Sequence, residues 1–192
     1  MRRLLLARHA PTAATRRGAF PADEALDERG RAAATALGAA APDGCEVLCS
    51  PALRCRQTAA AAGLAPQIDV RLAECDFGDW AGRTGAEIDA ERPGEVGGWI
   101  ADPDAQPHGG ESLHQFGRRV AGWLDGQRSL RGDALIVTHG GVIRAAVAHA
   151  LGAPTRAAWQ VQVQPLSVTE LCAEGERWTV WRVNASVGAP AR

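Results

Sequence analysis

The sequence lacks the features that mark a membrane protein or a nucleic-acid-binding protein. None of its apolar runs approaches the roughly 20 residues that a helix needs to span a bilayer. The formal net charge is only −1, so no excess of either sign draws nucleic acid or an anionic membrane to the whole surface. We therefore expect neither as a partner, and any bound anion must be held by a local group of cations.

Cysteine is also scarce and irregularly spaced. The five cysteines are odd in number, and the C-E-V-L-C stretch does not have the C-x-x-C spacing of redox or metal motifs. This pattern favours free thiols in a reducing compartment over a disulfide framework. Too few apolar residues precede Arg8 to form the core of a signal peptide, so we expect a cytoplasmic protein.

The order of apolar segments predicts an α/β fold. The chain shows no internal repeat, long linker or low-complexity block, and we expect one domain over residues 1–192. Apolar runs predict buried strands, two late segments alternate as strands paired at the sheet edge, and helical patterns fill the gaps. Strands that alternate with helices indicate a mainly parallel sheet. The predicted strands are 3–8, 45–49, 133–139, 166–173 and 177–184, with a weaker one near 66–74, and the helices are 26–42, 50–63, 111–127 and 140–152.

Local signals refine these boundaries. Asp27 and Ser50 are the types of residue that cap helix N-termini, and Pro42 is expected to stop the first helix. Residues 76–111 are rich in Gly, Pro, Asp and Trp, which predicts short helices and loops laid over a site.

Cationic and imidazole side chains stand where predicted strands end. The first strand ends at Arg8-His9, and the third at His139, where a glycine pair opens the next helix. Arg54 lies in the first turn of the helix after the second strand. Ligands of open α/β sheets bind beyond the carboxyl ends of the strands. If these strands are neighbours, two guanidiniums and two imidazoles around a helix N-terminus form a site for a compact anion such as phosphate.

Five segments resemble, in the expected order, the signature of the histidine phosphatase superfamily, which includes phosphoglycerate mutases and fructose-2,6-bisphosphatases. The resemblance covers roughly residues 3 to 153. It implies a three-layer α/β/α sandwich of the phosphoglycerate mutase type. The five segments are LLLARHAPT (4–12), SPALRCRQTA (50–59), LAECDFGDWAGRTGAEI (72–88), HGGES (108–112) and VTHGGVIRAA (137–146).

The resemblance implies a catalytic role for five residues. His9 would be the nucleophile that forms a phosphohistidine, and Arg8, Arg54 and His139 would hold the phosphoryl oxygens. Glu74 would protonate the leaving alcohol and then deprotonate the attacking water. The chemistry suits these types, because nearby cations keep an imidazole neutral and offset charge on the transferring group. The resemblance implies no metal and no other cofactor.

Four further residues are candidates for binding substrate. Gly140 opens a helix at the expected phosphate, and Thr15 stands where the family often has an asparagine, so its phosphate contact is open. Glu111 either hydrogen-bonds a phosphate-facing group or caps the next helix. His108 is interpreted as a surface histidine that alternatively lines the substrate pocket. With His114 it lacks the i, i+4 relation of a metal pair, and we expect no metal site.

The resemblance implies a metal-independent phosphomonoesterase that acts on a small phosphorylated metabolite. The short chain and the stretch WIADPDAQPHGGES resemble α-ribazole phosphatase-type members linked to cobalamin synthesis, with a broad-specificity phosphatase as the alternative. A phosphoglycerate mutase ranks lower, because the chain looks too short for the insertion that retains a bisphosphate. A non-catalytic binding module also ranks lower, because the catalytic set is intact. Monomer and homodimer both stay open.

Overall fold

A single six-stranded sheet forms the centre of the protein. The computed structural model describes residues 1–187, and the predicted domain end at residue 192 lies outside them. The strand order is β3-β2-β4-β1-β5-β6. Strands β1 to β4 pair in parallel, whereas β5 and β6 run antiparallel at one edge, which confirms the mainly parallel sheet and its late edge pair. The strands are β1 Arg2–Arg8, β2 Glu46–Cys49, β3 Gln67–Ile68, β4 Gly132–Thr138, β5 Val168–Glu174 and β6 Arg177–Ala185.

Seven α-helices and four 3₁₀ turns connect these strands in the described chain. The longest helix has 15 residues, and no helix of residues 1–187 is both long and apolar enough to cross a membrane. The helices are α1 Ala13–Arg17, α2 Glu28–Ala34, α3 Leu53–Ala61, α4 Gly85–Glu91, α5 Glu95–Ala101, α6 Leu113–Gln127 and α7 Gly140–Ala150, and the 3₁₀ turns are Thr35–Ala40, Val70–Leu72, Gly78–Trp80 and Thr155–Gln160.

Strand β1 shows why the sheet has a layer of helices on each face. Side chains alternate along a strand, so Leu4 and Leu6 point to one face, and Leu5 and Ala7 to the other. All four are buried. Leu4 and Leu6 belong to the core that includes α6 and α7, while Leu5 and Ala7 pack with α3. The three-layer α/β/α arrangement is therefore confirmed.

The helices predicted over 26–42 and 50–63 differ most from the structure. Asp27 caps α2 as predicted, with its carboxylate accepting from the Gly30 amide at 2.7 Å. The chain then tightens into the 3₁₀ turn Thr35–Ala40, so the α-helix ends before Pro42. The prediction that Ser50 caps α3 is wrong. That helix begins at Leu53 after a non-helical Ala52, because the Ser50 hydroxyl is engaged elsewhere.

All five cysteines are free thiols, as their spacing predicted. Four of them are buried and Cys45 is half-buried. Burial raises the pKa of the Cys49 thiol to about 12, and it also raises the pKa of Cys55 well above its usual range. These thiols therefore stay protonated and act as small apolar residues.

Candidate active site

The strand order brings the two histidines of the predicted anion site together. Strands β1 and β4 are parallel neighbours, with Arg8 opposite Thr138 in register. His9 and His139 therefore leave the sheet side by side, and their ring centroids lie 5.3 Å apart. Strand β2 flanks β4 on its other side and leads into α3, which carries Arg54 to the same edge. The condition that these strands be neighbours is met.

His9 is buried and uncharged at neutral pH. Its Nδ1 lies 2.8 Å from the Ala10 carbonyl oxygen, and Arg54 Nε lies 3.3 Å from its Nε2. A guanidinium has no acceptor, so Nε2 must present a lone pair to Arg54 and Nδ1 must carry the proton. Burial, and next the charge of Arg54, lowers the pKa of His9 to about 3. The ring therefore offers Nε2 as a nucleophile.

His139 is held in the opposite tautomer by the same arginine. Arg54 Nη2 lies 3.0 Å from His139 Nδ1, which must therefore accept, leaving the proton on Nε2. That N–H donates to Ser50 Oγ at 2.7 Å. Burial, and next the charge of Arg54, holds the pKa of His139 well below its usual range. Ser50 is thus a site residue that sequence reasoning assigned to a helix cap, although it stands in the quoted SPALR segment.

Arg54 is fixed from several directions. It donates to the Ala22 carbonyl and lies 3.6 Å from the Glu24 carboxylate. Thr58, one turn along α3, donates to the Arg54 carbonyl at 2.7 Å and accepts from the Ala10 amide at 3.0 Å. Helix α3 is thereby tied to the residue next to His9. Sequence reasoning missed Glu24 and Thr58, and only Thr58 stands in a motif that could have indicated it.

Arg8 places a second guanidinium against the start of α7. Its Nη1 donates to the Val163 carbonyl at 2.6 Å, while its buried Nε has no hydrogen-bond partner among the described residues. A Cβ added at Gly140 would lie 3.3 Å from that Nε, so the helix begins directly beside the charge. Burial lowers the pKa of Arg8, and the nearby Glu74 opposes that effect. A guanidinium and a helix N-terminus converge here on one anion position.

Glu74 lies across the N-terminus of α7 from Arg8. Its carboxylate accepts from the Gly141 amide and from the Cys75 amide, each at 3.1 Å. The carboxylate lines the same cavity as His9.

Glu111 supports Glu74 from behind and does not line the cavity. Its carboxylate binds Arg119 with contacts of 2.6 and 2.9 Å and accepts from the Asp76 amide at 3.1 Å. Arg119 in turn donates to the carbonyls of Ala73 at 2.9 Å and Glu74 at 3.2 Å. The alternative prediction that Glu111 caps the next helix is wrong, because Ser112 caps α6. The ion pair of Glu111 and Arg119 instead supports the backbone that carries Glu74. We call this pair the Glu111–Arg119 clamp.

His108 is buried, and the prediction of a surface histidine is wrong. It is 1% exposed and packs edge-on against Trp80 and Trp99, with centroid distances of 4.7 and 5.6 Å. Its Nδ1 accepts from the Gly110 amide at 3.0 Å. His108 does not line the cavity but lies beneath Trp99, which does. Its burial depends on how residues 76–111 fold around it, and no local sequence pattern predicts that burial.

The cavity extends from the anion site to the side chains of Phe20, Trp99 and Trp159, which we call the aromatic wall. It has a volume of about 260 Å³, and the predicted residues Thr15 and Gly140 line it together with Arg8, His9 and Glu74. The other lining side chains that bear on its chemistry are Phe20, Phe77, Trp99, Leu113, Phe116, Arg144 and Trp159. Within residues 1–187 no three His, Cys, Asp or Glu side chains are grouped to hold a metal ion.

Comparison with known proteins places the chain in a family. The profile of the histidine phosphatase superfamily (branch 1) matches residues 4–186. Glucosyl-3-phosphoglycerate phosphatase of Mycolicibacterium vanbaalenii is 34% identical over 175 residues, which cover 80% of this chain and 76% of that protein. Adenosylcobalamin/alpha-ribazole phosphatase of Salmonella typhimurium is 31% identical over 175 residues, covering 84% and 86%. The structure of mycobacterial glucosyl-3-phosphoglycerate phosphatase with VO3 superimposes with a TM-score of 0.84, at 30% identity, over 97% of this chain and 100% of that one.

The chain therefore belongs to the histidine phosphatase superfamily, as the five motif segments predicted. It is a phosphatase.

Proposed function

We propose that the protein is a metal-independent phosphomonoesterase that hydrolyses a small phosphorylated metabolite through a phosphohistidine on His9. The observation that carries this proposal is the neutral His9 ring, whose Nδ1 proton is bound to a carbonyl while its Nε2 lone pair faces Arg54 and His139. An imidazole in this state is a nucleophile without prior loss of a proton. Arg54 contacts Nε2 directly, so an entering phosphoryl group takes over that contact.

In the first step His9 Nε2 bonds to phosphorus, and the bond between phosphorus and the ester oxygen breaks. Arg8, Arg54 and the α7 N-terminus at Gly140 offset charge on the non-bridging oxygens. His139 accepts from Arg54 through Nδ1 and so positions that guanidinium toward the phosphoryl oxygens. Glu74, protonated at the start of the step, gives its proton to the departing alkoxide, which leaves as an alcohol.

In the second step water attacks the phosphohistidine. Glu74, now a carboxylate, takes a proton from that water, and the phosphorus–nitrogen bond breaks to restore neutral His9 and release inorganic phosphate. Backbone amides of Cys75 and Gly141 hold the carboxylate in place for both steps. Thr15 lines the cavity, and its hydroxyl is bound to Thr12 within the capping box of α1.

The aromatic wall favours a leaving group with a flat apolar part. Phe20, Trp99 and Trp159 line the cavity beyond the phosphate end. Rings of this kind stack on a heteroaromatic base. The α-ribazole 5′-phosphate type of substrate, linked to cobalamin synthesis, fits this wall, and the Salmonella relative is named for it. A broad-specificity phosphatase is the alternative.

The mechanism is tested by His9→Ala, with His149→Ala as the matched control. His149 lies on α7 and pairs with Asp125 away from the cavity. The His9 variant should lose turnover by more than about 1,000-fold and all acid-labile phosphate labelling, while the control keeps both. Labelling that survives in the His9 variant would refute the assignment of the nucleophile.

Substrate choice is tested by phosphate release, with EDTA present, from α-ribazole 5′-phosphate, glucosyl-3-phosphoglycerate, sugar phosphates and p-nitrophenyl phosphate. A kcat/KM for α-ribazole 5′-phosphate well above the others supports that substrate. Similar values throughout indicate a generalist, and a preference for glucosyl-3-phosphoglycerate rejects the α-ribazole assignment.

A further inference from the structure

Arginines in this protein are paired with carboxylates wherever they are withdrawn from solvent, with two exceptions. Within residues 1–187, every buried or half-buried arginine except Arg8 and Arg144 lies within 4.0 Å of a carboxylate oxygen. Both exceptions line the cavity. A guanidinium removed from water without an anionic partner costs free energy. These two arginines therefore mark where the folded protein offers positive charge to a ligand.

Arg144 is held in position by contacts that leave its charge unneutralised. Its Nε donates to the Val161 carbonyl at 2.9 Å, and its guanidinium carbon lies 6.0 Å from the centre of the Trp159 ring. Among the described residues its two terminal nitrogens make no hydrogen bond of their own. A cation anchored through Nε keeps four N–H groups for an anion, in the geometry that suits a carboxylate or phosphate.

One short segment of chain positions both unpaired arginines. Val161 accepts from Arg144, and Val163, two residues on, accepts from Arg8. Burial is the main cause that lowers the pKa of Arg8, and the charge of Arg144 lowers it further, so the two cations repel each other. Since Arg8 belongs to the phosphoryl position, Arg144 extends the positive potential toward the aromatic wall.

We propose that Arg144 forms a second anion subsite, which binds a carboxylate or other anionic group on the leaving-group side of the phosphomonoester. This inference rests on the proposed function, because Arg144 acts on the leaving group of that reaction. The substrate class is then a phosphomonoester with a second anionic group near an apolar or cyclic body. Glucosyl-3-phosphoglycerate carries such a carboxylate, whereas α-ribazole 5′-phosphate meets the requirement only when it is part of a larger molecule with a second anion.

The test compares two ligands of the same configuration that differ in one group, D-3-phosphoglycerate and sn-glycerol 1-phosphate, in which a hydroxymethyl group replaces the carboxylate. We expect wild-type protein to favour the carboxylate ligand by roughly 10- to 100-fold in kcat/KM, the range of one charge-assisted contact. Arg144→Gln should abolish that preference by raising KM for 3-phosphoglycerate alone, and Arg144→Lys should restore part of it. Arg156→Gln is the matched control, because Arg156 is exposed on the neighbouring 3₁₀ turn and does not line the cavity.

Three readouts keep the inference and the proposed function apart. Equal losses on both ligands in Arg144→Gln, or no preference in wild-type protein, would overturn the subsite and leave only an anchoring role for Arg144. Affinity for both ligands is also measured by titration calorimetry, which needs no turnover. Absence of p-nitrophenyl phosphate hydrolysis would reject the proposed function, and the calorimetric preference would still decide the subsite.

Discussion

The two ends of the cavity are built in different ways. The phosphate end is lined by Arg8 and His9, with His139 and Arg54 buried directly behind His9 and held by hydrogen bonds. The leaving-group end consists of side chains such as Phe20 and Trp159 that come from loops and a 3₁₀ turn. The residues that react with the phosphate are held at the ends of sheet strands, where their geometry is fixed. The residues that select the substrate lie on loops, which can change without moving the reacting groups.

Glu74 lies between the two ends, and its replacement should produce the largest difference in rate between substrates with poor and good leaving groups. In Glu74→Gln the proton donor is lost, so alkyl phosphates with poor leaving groups should slow by about 100- to 10,000-fold. Hydrolysis of p-nitrophenyl phosphate should change by less than about 10-fold, because that leaving group needs little protonation. Steady-state kinetics on both substrates, with the exposed Asp79→Asn as control, provide the check. Equal slowing would count against the acid role.

The Glu111–Arg119 clamp should give a smaller effect of the same kind. Arg119→Gln frees the backbone at Ala73 and Glu74, and a displacement of about 1 Å costs up to about 100-fold in rate. The loss should again be larger for alkyl phosphates than for p-nitrophenyl phosphate, and Arg119→Lys should recover part of it. Arg118→Gln, exposed on the same helix, is the control. A uniform loss on both substrates would indicate a general structural defect.

Acid should destabilise the fold through the two histidines of the phosphate end. The folded-state pKa values of His9 and His139 are depressed, so the unfolded chain binds more protons below pH 6.5. Stability that is fully present above pH 6.5 should fall as the pH approaches 3, by up to about 1.4 kcal/mol per pH unit for each histidine. Urea unfolding at several pH values measures the slope. If His9→Gln left the slope unchanged, His9 would not be the titrating group.

The aromatic wall should give the smallest effect. Trp159→Ala removes one stacking surface, worth about 0.5 to 1.5 kcal/mol, so kcat/KM for a substrate with an aromatic leaving group should fall roughly 2- to 10-fold. Inorganic phosphate should inhibit the variant and the wild type alike, because it occupies only the phosphate end. Trp181→Ala is the control, since Trp181 is exposed on β6 and outside the cavity. Weaker inhibition by phosphate in Trp159→Ala would show that the two ends are not separable.

The phosphate end was predictable from sequence because its residues stand at fixed offsets from strand ends. His9 and His139 directly follow apolar runs, and the parallel sheet carries such positions to one edge. Arg54 follows the same rule through the short link from β2 to α3. For these three residues local pattern and topology suffice.

The remaining site residues depend on packing that local pattern does not encode. Phe20 reaches the cavity from a loop outside the five motif segments, whereas Arg144 stands within VTHGGVIRAA, and the pattern there does not show that its side chain turns toward the cavity. Serine is a residue type that often caps helices, but the Ser50 hydroxyl accepts a hydrogen bond from His139 and does not cap α3. His108 has the polarity of a surface residue, and only the closure of tryptophans around it makes it buried.

Gly141 limits how this site can change over time. A Cβ built there would fall 2.2 Å from Glu74 Oε1, while the Gly141 amide is one of the two donors that hold the same carboxylate. Any other amino acid at this position must push the proton donor away from its hydrogen bonds before it can fit. Side chains of the cavity wall can therefore be exchanged without touching the proton donor, whereas any side chain added at position 141 displaces it.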